Sequence, residues 1–248
     1  MIRSSLASLA RLVFPEVCPL CQSLREESPE EVFCTSCADS LPLVRPPLCI
    51  RCGLPFPAGE GENHLCGECL VSPPPFSWAR ALGRYETGLL DGIHRFKYRR
   101  AIRIGEGLGR LMAEIPMEGG PVLSSFDRVL PVPLHPARLR ERGFNQSAVL
   151  AGAVSRRISL PLDLFSLRRI RDTKPQISLN GAERERNVRG AFSVARPPAV
   201  EGEKILLVDD VYTTGNTLRE AARALLRGGA SEVAVLTAAR AVPRFLGG

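Results

Sequence analysis

Apolar and polar positions follow two regimes along this chain, and the change falls at residue 76. Beyond it, short apolar runs alternate with segments whose apolar residues recur every three or four positions, the marks of strands and amphipathic helices. Ala79–Tyr85 reads as a strand, followed by helices over Leu89–Phe96 and Ala101–Ala113. Asp127–Leu134 reads as a second strand and Gln146–Ile158 as a helix. A charged loop, Arg171–Gly190, leads to a short strand at Ala191–Val194. Lys204–Asp209 is an apolar strand closed by two acids, Thr217–Arg227 a helix stopped by Gly228–Gly229, and Glu232–Ala239 the last strand. Strand and helix in alternation predict an α/β unit, a parallel sheet flanked by helices.

The first regime lacks a sustained period and is rich in Cys, Pro and Gly; the run Ser72-Pro-Pro-Pro75 closes it. Two domains are expected on this texture, residues 1–75 and 76–248. At the start, Leu6, Leu9, Leu12 and Val13 have helical spacing, and Arg11 interrupts an apolar stretch too short for a good signal peptide. With no apolar run of bilayer length, a cytoplasmic chain without stable membrane insertion is expected.

Composition adds one asymmetry. Residues 1–80 hold 6 basic and 9 acidic side chains, whereas the remainder holds 27 and 17, so the net charge of +7 resides in the second regime. Of the 33 basic residues 30 are Arg. Guanidinium forks suit phosphate, but compositional bias of a genome explains an Arg-rich chain equally well.

All eight cysteines form Cys-x-x-Cys pairs: Cys18/Cys21, Cys34/Cys37, Cys49/Cys52 and Cys66/Cys69. Two such turns complete a tetrahedral thiolate site, so four pairs predict two structural Zn²⁺ ions. Sequential pairing, the expected arrangement, makes a double zinc ribbon, and the spacing also leaves an interleaved pairing open. His64 lies close enough to Cys66 to replace a ligand but is expected to be a bystander.

The densest chemistry follows the apolar strand. Asp209 and Asp210 lie at its carboxyl end, and Thr213-Thr-Gly-Asn-Thr217 then opens a helix. Backbone N–H groups and threonine hydroxyls at a helix start bind a phosphate monoester, and the paired acids beside them can accept hydrogen bonds from two vicinal hydroxyls. A phosphate and a diol held this close describe a ribose 5-phosphate. By contrast Gly105-x-Gly-x-Gly109 sits inside a helical stretch with no strand before it, and reads as close helix packing. Arg138, Arg140 and Arg142 follow a strand end and are candidates to neutralise pyrophosphate. The stretch Arg95-Phe96-Lys97-Tyr98-Arg99-Arg100 interleaves aromatic and basic residues as stacking surfaces for single-stranded nucleic acid do; it also fits an amphipathic helix with Phe96 in the core.

The strand, acid pair and Thr-Thr-Gly-Asn-Thr turn resemble the 5-phosphoribosyl pyrophosphate (PRPP) fingerprint of type I phosphoribosyltransferases. That resemblance implies that Asp209 and Asp210 hold the ribose 2′- and 3′-hydroxyls and that Thr213, Thr214, Gly215, Asn216 and Thr217 wrap the 5′-phosphate. It also implies Mg²⁺ bound with PRPP, and a mobile loop over Thr173–Gly190 that closes on it. Transferases for hypoxanthine and guanine carry an Asp where Thr213 stands, so purine salvage is disfavoured. Together with the cysteine pairs, Tyr85, Lys97-Tyr98, Arg142-Gly-Phe-Asn-Gln146 and the Thr173, Gln176, Leu179, Arg184, Asn187-Val188 series, the whole pattern resembles the ComF family, which includes the ComFC and GntX proteins. Membership implies a type I phosphoribosyltransferase fold behind a double zinc ribbon, and a cytosolic role in handling single-stranded DNA with competence-machinery proteins. Three functions follow as expectations: a binding module for PRPP or a related nucleotide that also grips DNA, an active Mg²⁺-dependent transferase with an unidentified acceptor, or a zinc-ribbon adaptor.

Overall fold

The computed structural model describes residues 16–25, 31–57, 61–116, 122–172 and 188–242. The expected N-terminal helix and most of the expected mobile loop lie outside these residues. Two short helices, α1 (Thr35–Asp39) and α2 (Gly67–Val71), belong to the cysteine-rich segment. Then follow β1 (Ala79–Arg84), α3 (Thr87–Arg99), α4 (Ile102–Ala113), β2 (Arg128–Pro131), α5 (Pro136–Arg142), α6 (Gln146–Ile158), β3 (Leu167–Arg169), β4 (Phe192–Val194), β5 (Lys204–Tyr212), α7 (Asn216–Arg227) and β6 (Glu232–Arg240).

β1, β6, β5 and β2 form a four-stranded sheet in that order, with every pair parallel. Both faces are covered, which is why the strand cores read as unbroken apolar runs. Leu206 and Val208 of β5 join the cluster containing α3, α4 and α6, whereas Ile205 and Leu207 join the cluster containing α7. After α6 the chain runs along the outer side of β2, where Leu162 makes a parallel bridge with Val129. From β5 it turns the other way, through α7 to β6. The winding therefore reverses between β2 and β5, and open α/β sheets bind ligands at the carboxyl edge of such a reversal.

Three details differ from the expectation. β5 continues through both acids to Tyr212, while β2 pairs only as far as Val208, so β5 extends past its neighbour and leaves Asp209 and Asp210 beside an open edge. The strand expected at residues 191–194 stands outside the main sheet and pairs antiparallel with β3, a strand too short to carry a visible period. Residues 136–142, given no element beyond their place after a strand end, form α5, with Pro136 at its first position and His135 as its cap.

The glycines of α4 do serve packing. A Cβ on Gly105 would lie 2.4 Å from the Phe96 ring, on Gly107 2.6 Å from Phe33, and on Gly109 2.7 Å from the Leu150 carbonyl oxygen. α4 is thus pressed at once against α3, the first ribbon and α6. The cysteine segment does not hang off the sheet as an appendage. Cys18, Val32, Phe33 and Leu41 pack into the core on the α4 side, and Cys49, Cys52, Cys66 and Cys69 pack into the core on the α7 side. Each ribbon supplies part of the cover for one face.

Candidate functional site

The cysteines gather into two quartets, Cys18/Cys21/Cys34/Cys37 and Cys49/Cys52/Cys66/Cys69, the ligand atoms of each lying within 4.8 Å of one another. Cys21 and Cys34 sulfurs are 3.6 Å apart and those of Cys52 and Cys66 3.7 Å. Tetrahedral Zn–S bonds of about 2.3 Å place sulfurs ~3.8 Å apart, far beyond a disulfide's ~2 Å. Backbone N–H groups of Cys34, Cys52 and Cys66 donate to the sulfurs of Cys18 and Cys49, as thiolates require. The quartets fit two structural zinc ions, and the geometry selects sequential over interleaved pairing. His64 is a bystander, stacked at 4.0 Å on Phe56.

At the sheet's reversal the predicted loop takes shape. Gly215 adopts φ +77°, a left-handed turn that turns the chain from β5 into α7. No side chain caps α7, and the positive end of the helix dipole lies at this turn. The Thr214 hydroxyl is buried and has no hydrogen-bond partner among the described residues. A helix start without a side-chain cap and a buried hydroxyl in the same turn are groups able to bind a phosphate.

The acid pair is held by groups distant in sequence. Asp209 accepts from the Ser147 hydroxyl at 2.7 Å and from the Asp210 N–H at 2.9 Å. Burial, and then the charge of Asp210, push its carboxyl up to about 7. Asp210 is engaged by Lys97, whose Nζ lies 2.9 Å from Oδ2 with both side chains about 15% exposed. Burial alone would lower the lysine's pKa, but Asp210 outweighs it and the ammonium is held above its usual range. Arg169 of β3 is half-buried nearby: desolvation lowers its pKa, Asp209 opposes the shift and Arg138 adds to it.

Ser147 and Arg169 were missed as site residues, and Lys97 was assigned to the nucleic-acid stretch and not to the acids. Lys97 carried a signal, since it lies four residues after the buried Ile93 and so on the inner edge of α3. The stacking stretch needs correction accordingly. Phe96 is fully buried and offers no face to a base. Arg95 donates to the carbonyls of Pro19 and Leu20, fastening the first ribbon. Tyr98 is 67% exposed, with the Arg142 guanidinium 5.5 Å from its ring and the exposed Arg99 and Arg100 beside it on the chain. Of the three α5 arginines, Arg138 lies close enough to Arg169 for its charge to lower that residue's pKa, Arg142 donates at 2.8 Å to Gln146, and Arg140 is exposed.

Comparison with known proteins agrees with this anatomy. Residues 9–70 match the family described as double zinc ribbon domain, and residues 145–242 match the phosphoribosyl transferase domain. Competence protein F of Haemophilus influenzae is 31% identical over 222 residues, covering 84% of this chain and 96% of that protein. The chain belongs to the ComF family. Other relatives carry the same architecture of names: DNA utilization protein YhgH of Escherichia coli K12 is 38% identical over 191 residues, covering 76% of this chain and 82% of its own length. Competence protein ComFC of Bacillus subtilis is 29% identical over 220 residues, covering 86% and 85%. In this ComF protein no helix among the described residues is long and apolar enough to cross a membrane.

Proposed function

We propose that this ComF protein binds PRPP at the open edge of β5 and works in the handling of single-stranded DNA. The observation that carries the first half is the combination of an uncapped α7 start, the orphaned Thr214 hydroxyl and two acids held within the same turn of chain. In this reading residues 213–217 take the 5′-phosphate, Asp209 and Asp210 the ribose hydroxyls, and Arg138, with Arg169, the pyrophosphate. Mg²⁺ would enter with PRPP, screening the pyrophosphate. The ion pair of Lys97 with Asp210 supplies a donor at the mouth of the site. Should pyrophosphate leave, the two carboxylates would stabilise the oxocarbenium-like ribose; Thr213, without a carboxyl, supports no purine proton transfer.

The second half is supported by the names of the relatives, competence protein and DNA utilization protein, and by the exposed Tyr98–Arg99–Arg100 surface flanked by Arg142. Calorimetry should show PRPP binding with Mg²⁺, weakened by about 1–3 kcal/mol in Asp210→Ala and again in Thr217→Val, the loss of hydrogen bonds to charged groups. Unchanged affinity in Asp210→Ala would contradict the assignment. Single-stranded oligonucleotides should bind without sequence preference, with log affinity falling by about 0.7 per neutralised phosphate for each unit of log salt. The Arg99→Gln/Arg100→Gln variant should flatten that slope and leave PRPP affinity alone; an unchanged slope means that the DNA meets another surface.

A further inference from the structure

We propose that Arg240 is a positioning residue that ties the phosphate-binding turn to the second cysteine quartet, making PRPP affinity depend on metal held by Cys49, Cys52, Cys66 and Cys69. The inference rests on the PRPP reading above and adds a control to it. Arg240 is the last residue of β6 and is 6% exposed. Its Nη1 donates to the Cys52 carbonyl at 2.7 Å, and its Nη2 lies 3.4 Å from the Cys52 sulfur. No carboxylate pairs with it among the described residues. A quartet of four thiolates around Zn²⁺ carries net negative charge, and that cluster is the counter-charge a buried guanidinium needs.

The same guanidinium lies over the Tyr212 ring, 4.0 Å from its centre. Tyr212 in turn forms the floor of the turn: a Cβ on Gly215 would come within 2.6 Å of its ring. Quartet, guanidinium, ring and turn are therefore in contact in series. A parallel link runs behind α7, where Arg219 meets Glu68 at 3.1 Å and the Ser72 carbonyl at 3.1 Å, both on the second ribbon. The first quartet has a different neighbour, α3, reached through Arg95. The two metal sites are thus unequal: the second bears on the phosphate turn, whereas the first bears on the helix that carries Lys97.

The test uses the full-length, zinc-loaded protein and reads three quantities together: zinc content, melting temperature and PRPP–Mg²⁺ affinity by calorimetry. Arg240→Met should keep two zinc ions and a cooperative melt near the wild type, yet bind PRPP about tenfold more weakly, since the ring under the turn is no longer held. Tyr212→Phe keeps the stacked ring and should bind like the wild type; Tyr212→Ala should lose affinity as Arg240→Met does. Arg240→Lys, which keeps the charge without the planar stack, should recover only part of the loss. Wild-type affinity in Arg240→Met, with zinc and fold intact, overturns the inference and leaves the PRPP reading standing. If Arg240→Met does not fold, wild-type affinity in Tyr212→Ala overturns it instead. A wild type that does not bind PRPP overturns the parent reading and this inference with it.

Discussion

Removing zinc from this protein should unfold the whole chain in one cooperative transition, not merely its first seventy-five residues. Each quartet is built into a core that covers one face of the same sheet, so each face loses part of its cover once its ribbon is lost. Structural zinc sites contribute on the order of 10 kcal/mol or more to folding, against a net stability of about 5–15 kcal/mol for a domain of ordinary size. The texture break at residue 75 suggested two independent domains, and the packing argues for one folding unit. Trp78, the single tryptophan, reports on it directly: it is buried on the α4 side in edge contact with Phe126, 5.8 Å between ring centres. Purified protein should carry two zinc ions per chain, and a strong chelator should shift Trp78 emission to the red together with loss of helical circular dichroism. Retention of the native Trp78 signal after complete zinc removal would show that residues 76–248 fold alone.

Asp209→Asn should stabilise the ligand-free protein at pH 8 while weakening PRPP binding. Asn keeps an oxygen for the Ser147 hydroxyl and the Asp210 N–H and removes the buried charge that raises the native carboxyl to about 7. The sign follows from proton uptake. An unfolded Asp titrates near 3.9, so between pH ~4 and ~7 the folded state holds a proton the unfolded state has released. Stability contributed by that proton is fully present at low pH and is lost as pH rises through about 7. Neighbouring charges divide the effect: Asp210 raises the carboxyl, whereas Lys97 lowers it. Partial exposure of Asp209 further discounts it, to about 1–2 kcal/mol at pH 8, or several degrees of melting temperature. The advantage should shrink as pH falls toward 5. An offset independent of pH, or a variant less stable at pH 8, contradicts the burial account of Asp209.

Much of the molecule was legible before its coordinates, and the reason is locality. The acids, the Thr-Thr-Gly-Asn-Thr turn and the start of α7 are contiguous, so strand, turn and helix chemistry can be read in a single window. The Cys-x-x-Cys knuckles are equally local, although the choice between sequential and interleaved quartets needed the fold. What the sequence withheld depends on topology. Lys97 reaches Asp210 across 113 positions, Ser147 reaches Asp209 across 62 and Arg240 reaches Cys52 across 188. None belongs to a motif with its partner. Lys97 was assigned to the stacking surface because it lies between Phe96 and Tyr98 in an alternation of aromatic and basic residues, yet one residue along a helix turns a side chain by about 100°.

The most direct measurement is a crystal of the zinc-loaded protein soaked with PRPP and Mg²⁺. Density for the 5′-phosphate should lie at the start of α7 against residues 213–217, with the ribose hydroxyls on Asp209 and Asp210 and the pyrophosphate turned toward Arg138 and Arg169. A turn that stays empty at saturating PRPP, or a ligand bound with its phosphate away from α7, would contradict the account.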